Sequence, residues 1–101
     1  MNCHFTYVEG GLVGTNIMID LGTCAIGRLP EAGIVLAEET VSRVQAELCY
    51  YEDDVVTIEN LSSTNPTTVN DQAIKGPIEL SDGDRVRFGR VVLRFNQSKK
   101  A

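Results

Sequence analysis

The sequence predicts an all-β fold, a β-sandwich of about ten short strands with its polar loops gathered at one end. Three observations carry that expectation. Short apolar runs rich in Val, Ile, Leu, Phe and Tyr recur along the chain. Gly, Pro, Asn, Asp and Ser punctuate them at the intervals a sandwich requires. No stretch holds a convincing helical period, although a helical reading of Pro30 to Glu39 competes weakly.

Taken in order, Cys3 to Glu9 carries Phe5, Tyr7 and Val8 with Thr6 between, a β-prone composition that stops at the Gly10-Gly11 breaker. Thr15 to Leu21 sets Ile17, Ile19 and Leu21 against Asn16, Met18 and Asp20, with one slip at Met18, and predicts a second strand paired to the first. Gly22-Thr23 breaks that run. Cys24-Ala25-Ile26 is a short third strand that leaves Arg28 on a loop shoulder, because Leu29-Pro30-Glu31-Ala32-Gly33 cannot continue a strand. Ile34-Val35-Leu36 returns to extended structure. Val44, Ala46, Leu48 and Tyr50 then share one face, with Gln45, Glu47, Cys49 and Tyr51 on the other, and Val55 to Ile58 answers across the acidic turn Glu52-Asp53-Asp54.

Gln72-Ala73-Ile74 and Pro77 to Leu80 are punctuated by Gly and Pro and read as edge strands or loops. After the turn Ser81-Asp82-Gly83-Asp84, Arg85 to Phe88 and Val91 to Phe95 alternate around Gly89-Arg90. Glycine at the first central position of a two-residue loop fits a type II′ hairpin. The domain is expected to fill residues 1–96, with 97–101 a disordered polar tail.

The central hairpin joins two polar clusters, Thr40 to Ala46 and Asn60 to Asn70. A hairpin returns the chain on itself, so both clusters lie at one end, near the shoulder that carries Arg28. Hydroxyls, amides and guanidinium groups from three loops would gather there into an anion site.

The net charge of −5 argues against general attraction to nucleic acid, so any anion site must depend on local arrangement. With 43% apolar and 23% charged residues, the composition is that of an ordinary globular domain and gives no reason to expect disorder through the middle. At 101 residues the chain has room for one core, and modules of this size often stand beside other domains in larger proteins. No run approaches the ~20 apolar residues of a membrane span, no basic leader opens the chain, and a cytoplasmic setting is expected. Cys3, Cys24 and Cys49 have no CxxC spacing, which indicates neither a disulfide framework nor a zinc site.

Gly27-Arg28, then Ser42-Arg43-Val44-Gln45, then Ser63-Thr64-Asn65-Pro66-Thr67 with Val69-Asn70, and finally Leu80 to Gly89, resemble in order and spacing the signature of forkhead-associated (FHA) domains. The similarity runs from residue 3 to residue 95. It implies a β-sandwich of about eleven strands whose loops at one end bind a phosphothreonine peptide, a module for phosphorylation-dependent protein–protein association in signalling. It also implies roles. Arg28 would pair with phosphate oxygens, Ser42 would donate its hydroxyl to them, Arg43 would hold the phosphate from the flank and Thr64 would complete the cradle. Asn65 would reach the ligand's main chain, and Gln45 and Asn70 would support the loops. The partner is then a phosphothreonine-containing protein or peptide, with no nucleic acid, no membrane insertion and no cofactor.

Two positions depart from the family pattern: Gln45 where His is usual, and Pro66 where Gly is usual. They motivate a second reading, in which the same fold is a scaffold that binds partners independently of phosphate. An enzyme is not expected and no residue is assigned a catalytic role, because no histidine or acid–base pair is placed to activate Ser42, and His4 lies within the first strand. Glu52-Asp53-Asp54 reads as a solvated hairpin tip and not a metal site. Arg85, Arg87, Arg90 and Arg94 form a basic stripe, either a docking face or a solvated strand face.

Overall fold

Alternation within each apolar run decides which side chains enter the core, and the computed structural model, which describes residues 3–98, shows eleven strands and no helix among those residues. They are β1 (Cys3–Glu9), β2 (Asn16–Met18), β3 (Gly22–Gly27), β4 (Ile34–Val35), β5 (Ala46–Tyr50), β6 (Val56–Asn60), β7 (Thr67–Val69), β8 (Gln72–Ala73), β9 (Ile78–Glu79), β10 (Arg85–Phe88) and β11 (Val91–Gln97). One sheet has the order β2-β1-β11-β10-β7-β8 and the other β4-β3-β5-β6-β9.

The two inner faces supply the core. Phe5, Val86, Phe88, Leu93 and Phe95 come from the first sheet, and Ile26, Ala46, Leu48, Val56 and Ile58 from the second, all buried. Phe5 and Phe95 are register partners whose rings meet edge to face at 5.9 Å and 63°. Burying side chains of this size stabilises the fold by about 1.5–3 kcal/mol each, so these positions hold the sandwich together and free the loop ends for other work. Every sheet edge is a strand of two or three residues, which limits unpaired edge backbone.

Several expected boundaries move, each for a local reason. β2 stops at Met18, because the chain must then cross to the other sheet. Ile19 still enters the core and its N–H reaches Cys3 O at 3.1 Å, but Leu21 lies exposed on the crossover. β3 begins at Gly22 and not after it, since Gly22 takes φ +111° and pairs with Tyr50. The segment from Pro30 to Glu39 is not helical: Ile34 and Val35 pair in parallel with Ile26 and Gly27. Val44 is excluded from β5 and points outward, 45% exposed, because the neighbouring Gln45 turns its amide inward.

At the C-terminal side, β11 continues to Gln97, which pairs with Cys3, is buried and donates Nε2 to Asp54 O at 2.6 Å. Gln97 therefore belongs to the folded body and not to the expected tail, of which residues 99–101 lie outside the described residues. The β10–β11 turn agrees with a type II′ hairpin: Phe88 pairs with Val91, Gly89 has φ +59° and Arg90 does not share the positive φ.

Candidate functional site

The site is assembled by loops that fasten onto one another before any side chain is considered. Arg28 N–H donates to Ser42 O at 3.1 Å and Leu29 N–H to Arg43 O at 3.3 Å, which zips the shoulder after β3 onto the segment before β5. Gly27 makes this possible. A Cβ there would lie 2.1 Å from Arg43 O, so no larger residue fits without parting the two loops. The Arg28 stem is then held by Nε donating to Val41 O at 3.1 Å. Among the described residues its remaining guanidinium N–H groups have no protein acceptor, and the side chain is exposed. Arg43 is likewise exposed, one residue beyond Ser42.

Three hydroxyls meet beside these arginines. Ser42 Oγ lies 2.6 Å from Ser62 Oγ and 3.4 Å from Thr64 Oγ1, and Ser62 Oγ lies 3.5 Å from Thr64 Oγ1. Ser62 Oγ accepts the backbone N–H groups of Thr64 at 3.3 Å and Asn65 at 3.0 Å. Both of its lone pairs are thereby used, so its own hydrogen goes to Ser42 Oγ, the closest acceptor. The Ser42 hydrogen is left to donate outward. Thr64, exposed and at long range from both serines, is free to do the same.

Beneath the hydroxyls sits a buried amide frame. Gln45 has no exposed surface. Its Oε1 accepts Ser42 N–H at 2.9 Å, and its Nε2 donates to Asn65 O at 2.7 Å and to Thr67 Oγ1 at 3.1 Å. Asn60 frames the other loop: Oδ1 accepts from Ser62 N, Thr67 N and Thr67 Oγ1 at 3.3, 3.2 and 2.9 Å, and Nδ2 donates to Ser62 O at 2.8 Å. The loop closes without a positive φ at Asn65, consistent with Pro66 following it. Asn65 is half-buried, its N–H donates to Ser62 Oγ, and its side-chain amide makes no hydrogen bond among the described residues.

Asn70 braces a different place. With Asp71 it forms the β7–β8 turn at φ +50° and +69°, and its side chain bonds Asp84 Oδ1 and Arg85 N at 3.0 Å each. It ties that turn to the loop before β10 and makes no bond to the loops of Ser42 or Thr64. Arg28, Ser42, Thr64, Asn65 and Gln45 are thus brought to one end, with Arg43 on the same loop, and Asn70 stands apart from them.

Ser62, Asn60 and Thr67 are not among the residues to which the sequence assigns a role. The Asn60-Leu61-Ser62 pattern, an amide two residues before a hydroxyl in a loop, was the available signal. A further latch holds the Ser42 loop from the other side. Thr40 Oγ1 accepts Arg90 N–H at 2.8 Å and donates to the Glu38 carboxylate, to which Thr40 N–H also donates at 2.8 Å. The Thr40 hydroxyl is the main reason the Glu38 carboxyl is held below its ordinary value; the Thr40 N–H and the Arg90 charge add to this, against partial desolvation.

A family model described as the FHA domain matches residues 24–89. Proliferation marker protein Ki-67 of Homo sapiens is 34% identical over 79 residues, which is 78% of this chain and 2% of that protein. The oxoglutarate dehydrogenase inhibitor of Corynebacterium jeikeium (strain K411) is 37% identical over 94 residues, 92% of this chain and 64% of that one. The chain therefore spans only part of these relatives' length. A solved structure from a structural and functional study of phosphothreonine-dependent FHA domain interactions superposes with a TM-score of 0.87 at 27% identity, covering 99% of this chain and all of that one.

Proposed function

Since this chain belongs to the FHA domain family of phosphothreonine-peptide-binding modules, we propose that Arg28, Ser42, Arg43 and Thr64 hold the phosphate and that Asn65 aligns the peptide main chain. The observation that carries the assignment is the hydroxyl triangle of Ser42, Ser62 and Thr64, spanning 2.6 to 3.5 Å beside an arginine whose stem is already anchored. A phosphothreonine brings about −1.5 to −2 charges and three acceptor oxygens at neutral pH. It needs several donors at once, and two outward hydroxyls and two guanidinium groups supply them.

At ~1.5–3 kcal/mol net per charge-assisted hydrogen bond, two or three such bonds with some peptide contact correspond to roughly micromolar affinity. Threonine would be favoured over serine by burial of one methyl, worth about 0.8 kcal/mol. We read the activity as binding without turnover. Ser42 Oγ is bonded to other hydroxyls, which are too weakly basic to activate it as a nucleophile. The partner is a phosphothreonine-bearing protein. The phosphate-independent reading gains no support from Gln45, whose amide fills the bracing position completely.

Titration with phosphothreonine, phosphoserine and unphosphorylated forms of an oriented peptide library tests the proposal. Binding in that order of strength is expected, and binding indifferent to the phosphate would reject it in favour of the scaffold.

A further inference from the structure

Four of the chain's nine Lys and Arg residues, Arg85, Arg87, Arg90 and Arg94, lie on the β10–β11 hairpin. Val86, Phe88, Leu93 and Phe95 enter the core, so Arg85, Arg87 and Arg94 project from the outer face of the sheet. Arg85 and Arg94 are direct register partners. Like charges opposed in this way destabilise a ladder. The residue across from Arg94 on the flanking strand β1 is Thr6, and the one across from Arg87 on β7 is Thr68, so neither register partner is an acid.

Among the described residues Arg87 pairs with Glu9 at 3.2 Å, whereas Arg85, Arg90 and Arg94 have no carboxylate within ion-pairing distance. The acids in the neighbourhood are Glu9 and Asp71, which line a groove of about 170 Å³ with Arg85 and Arg87, Asp84, which is held by Asn70 and Ser81 N–H, and Glu38 near Arg90. A chain of net charge −5 has carboxylates to spare, yet it leaves this face cationic.

The hairpin also abuts the phosphate cradle. Arg90 N–H bonds Thr40 Oγ1 at 2.8 Å, Gly89 packs so closely on Thr40 that a Cβ would lie 2.3 Å from Thr40 O, and Thr40 stands two residues before Ser42. We propose that the outer face of β10–β11 receives an acidic segment of the same phosphoprotein whose phosphothreonine occupies the cradle. This rests on the phosphothreonine reading and adds the ligand's second feature. From Ser42 past Thr40 to the Arg85–Arg94 pair is about 20 Å along the backbone, a span covered by about six extended residues. The acidic residues therefore begin about six positions from the phosphothreonine.

The test is fluorescence anisotropy with three labelled peptides: a short phosphothreonine peptide, the same peptide extended by a neutral Gly/Ser stretch, and the same length ending in consecutive Glu and Asp. The acidic extension is expected to tighten binding about tenfold at low salt, the sum of a few exposed charge pairs. That gain should vanish in Arg85→Gln/Arg94→Gln and in ~0.5 M salt, while the short peptide binds wild type and variant alike, which also shows that the variant is folded. Equal affinity of the acidic and neutral extensions, or a gain that survives in the variant, overturns the inference and leaves the phosphate reading standing. Failure of every phosphopeptide to bind overturns both. Stronger binding of a single-stranded RNA of equal charge, lost in the same variant, overturns it by assigning the face to nucleic acid.

Discussion

Gln45 Nε2 donates to the main-chain oxygen of Asn65 at 2.7 Å, so one side chain with no exposed surface ties the loop of Ser42 to the loop of Thr64. Spacing within the cradle is thereby set from beneath, by a buried amide, and not by the exposed hydroxyls themselves. Removing that amide should damage fold and site together.

Gln45→Leu leaves Ser42 N–H, Asn65 O and Thr67 Oγ1 short of a partner in or near the core. It is expected to cost about 2–4 kcal/mol in urea unfolding and to weaken phosphopeptide binding. Gln45→His keeps at most two of the three bonds, since an imidazole has two ring nitrogens, and should cost about 1 kcal/mol. Equal midpoints for wild type and Gln45→Leu would show that the amide bridge is not holding the loops.

Arg28→Ala separates site from fold. The side chain is exposed and its one hydrogen bond among the described residues is to Val41 O, so stability should change by less than about 1 kcal/mol. Phosphopeptide affinity should fall by about tenfold or more, the loss of one charge-assisted contact. Isothermal titration against the same peptide with and without phosphate reads this directly, and the unphosphorylated peptide should not distinguish the variant.

Ser62→Ala removes the hydroxyl that accepts Thr64 and Asn65 N–H and donates to Ser42. About 1 kcal/mol of stability and a three- to tenfold loss of affinity are expected. Thermal melts and peptide titrations on the same sample check both parts.

Glu38 ionises more readily in the folded chain than its ordinary value of 4.5, chiefly because the Thr40 hydroxyl donates to its carboxylate. A depressed folded value means that this contribution is fully present above about pH 4.5 and is lost as pH falls through the lower folded value. Thr40→Val should therefore flatten the acid limb of a stability profile below pH 4.5 and leave its slope unchanged from pH 6 to 8. An acid limb identical to wild type would show that the latch does not form.

The sandwich was legible because period-two patterns report burial directly. Cys3 to Glu9 and the hairpin around Gly89-Arg90 stand where alternation and turn chemistry placed them. Val44 misled because it continues the alternation of Ala46 and Leu48, yet the inward turn of Gln45 ends the strand first, a tertiary effect invisible in local pattern. Gly27-Arg28 was recognisable as a motif, but its cause, an Arg43 O so close that it would lie 2.1 Å from any Cβ at Gly27, depends on a segment sixteen residues away. Ser62 and Asn60 escaped for the opposite reason: loop residues of their types are common, and only the folded arrangement decides which of them close a network. Asn70 carried a family signature but braces the turn beside Asp84, which spacing alone does not reveal.

The central claim is that one phosphate engages Arg28, Ser42 and Thr64 together. The most direct measurement is a ¹⁵N–¹H correlation titration of the chain with a phosphothreonine peptide, following the Arg28 side-chain Nε–H and the backbone amides of Ser42 and Ser62 to Asn65. All of these signals should move in parallel with one dissociation constant, and none should move with the unphosphorylated peptide. Shifts confined to other surfaces, or separate constants for Arg28 and for the two hydroxyl loops, would contradict it.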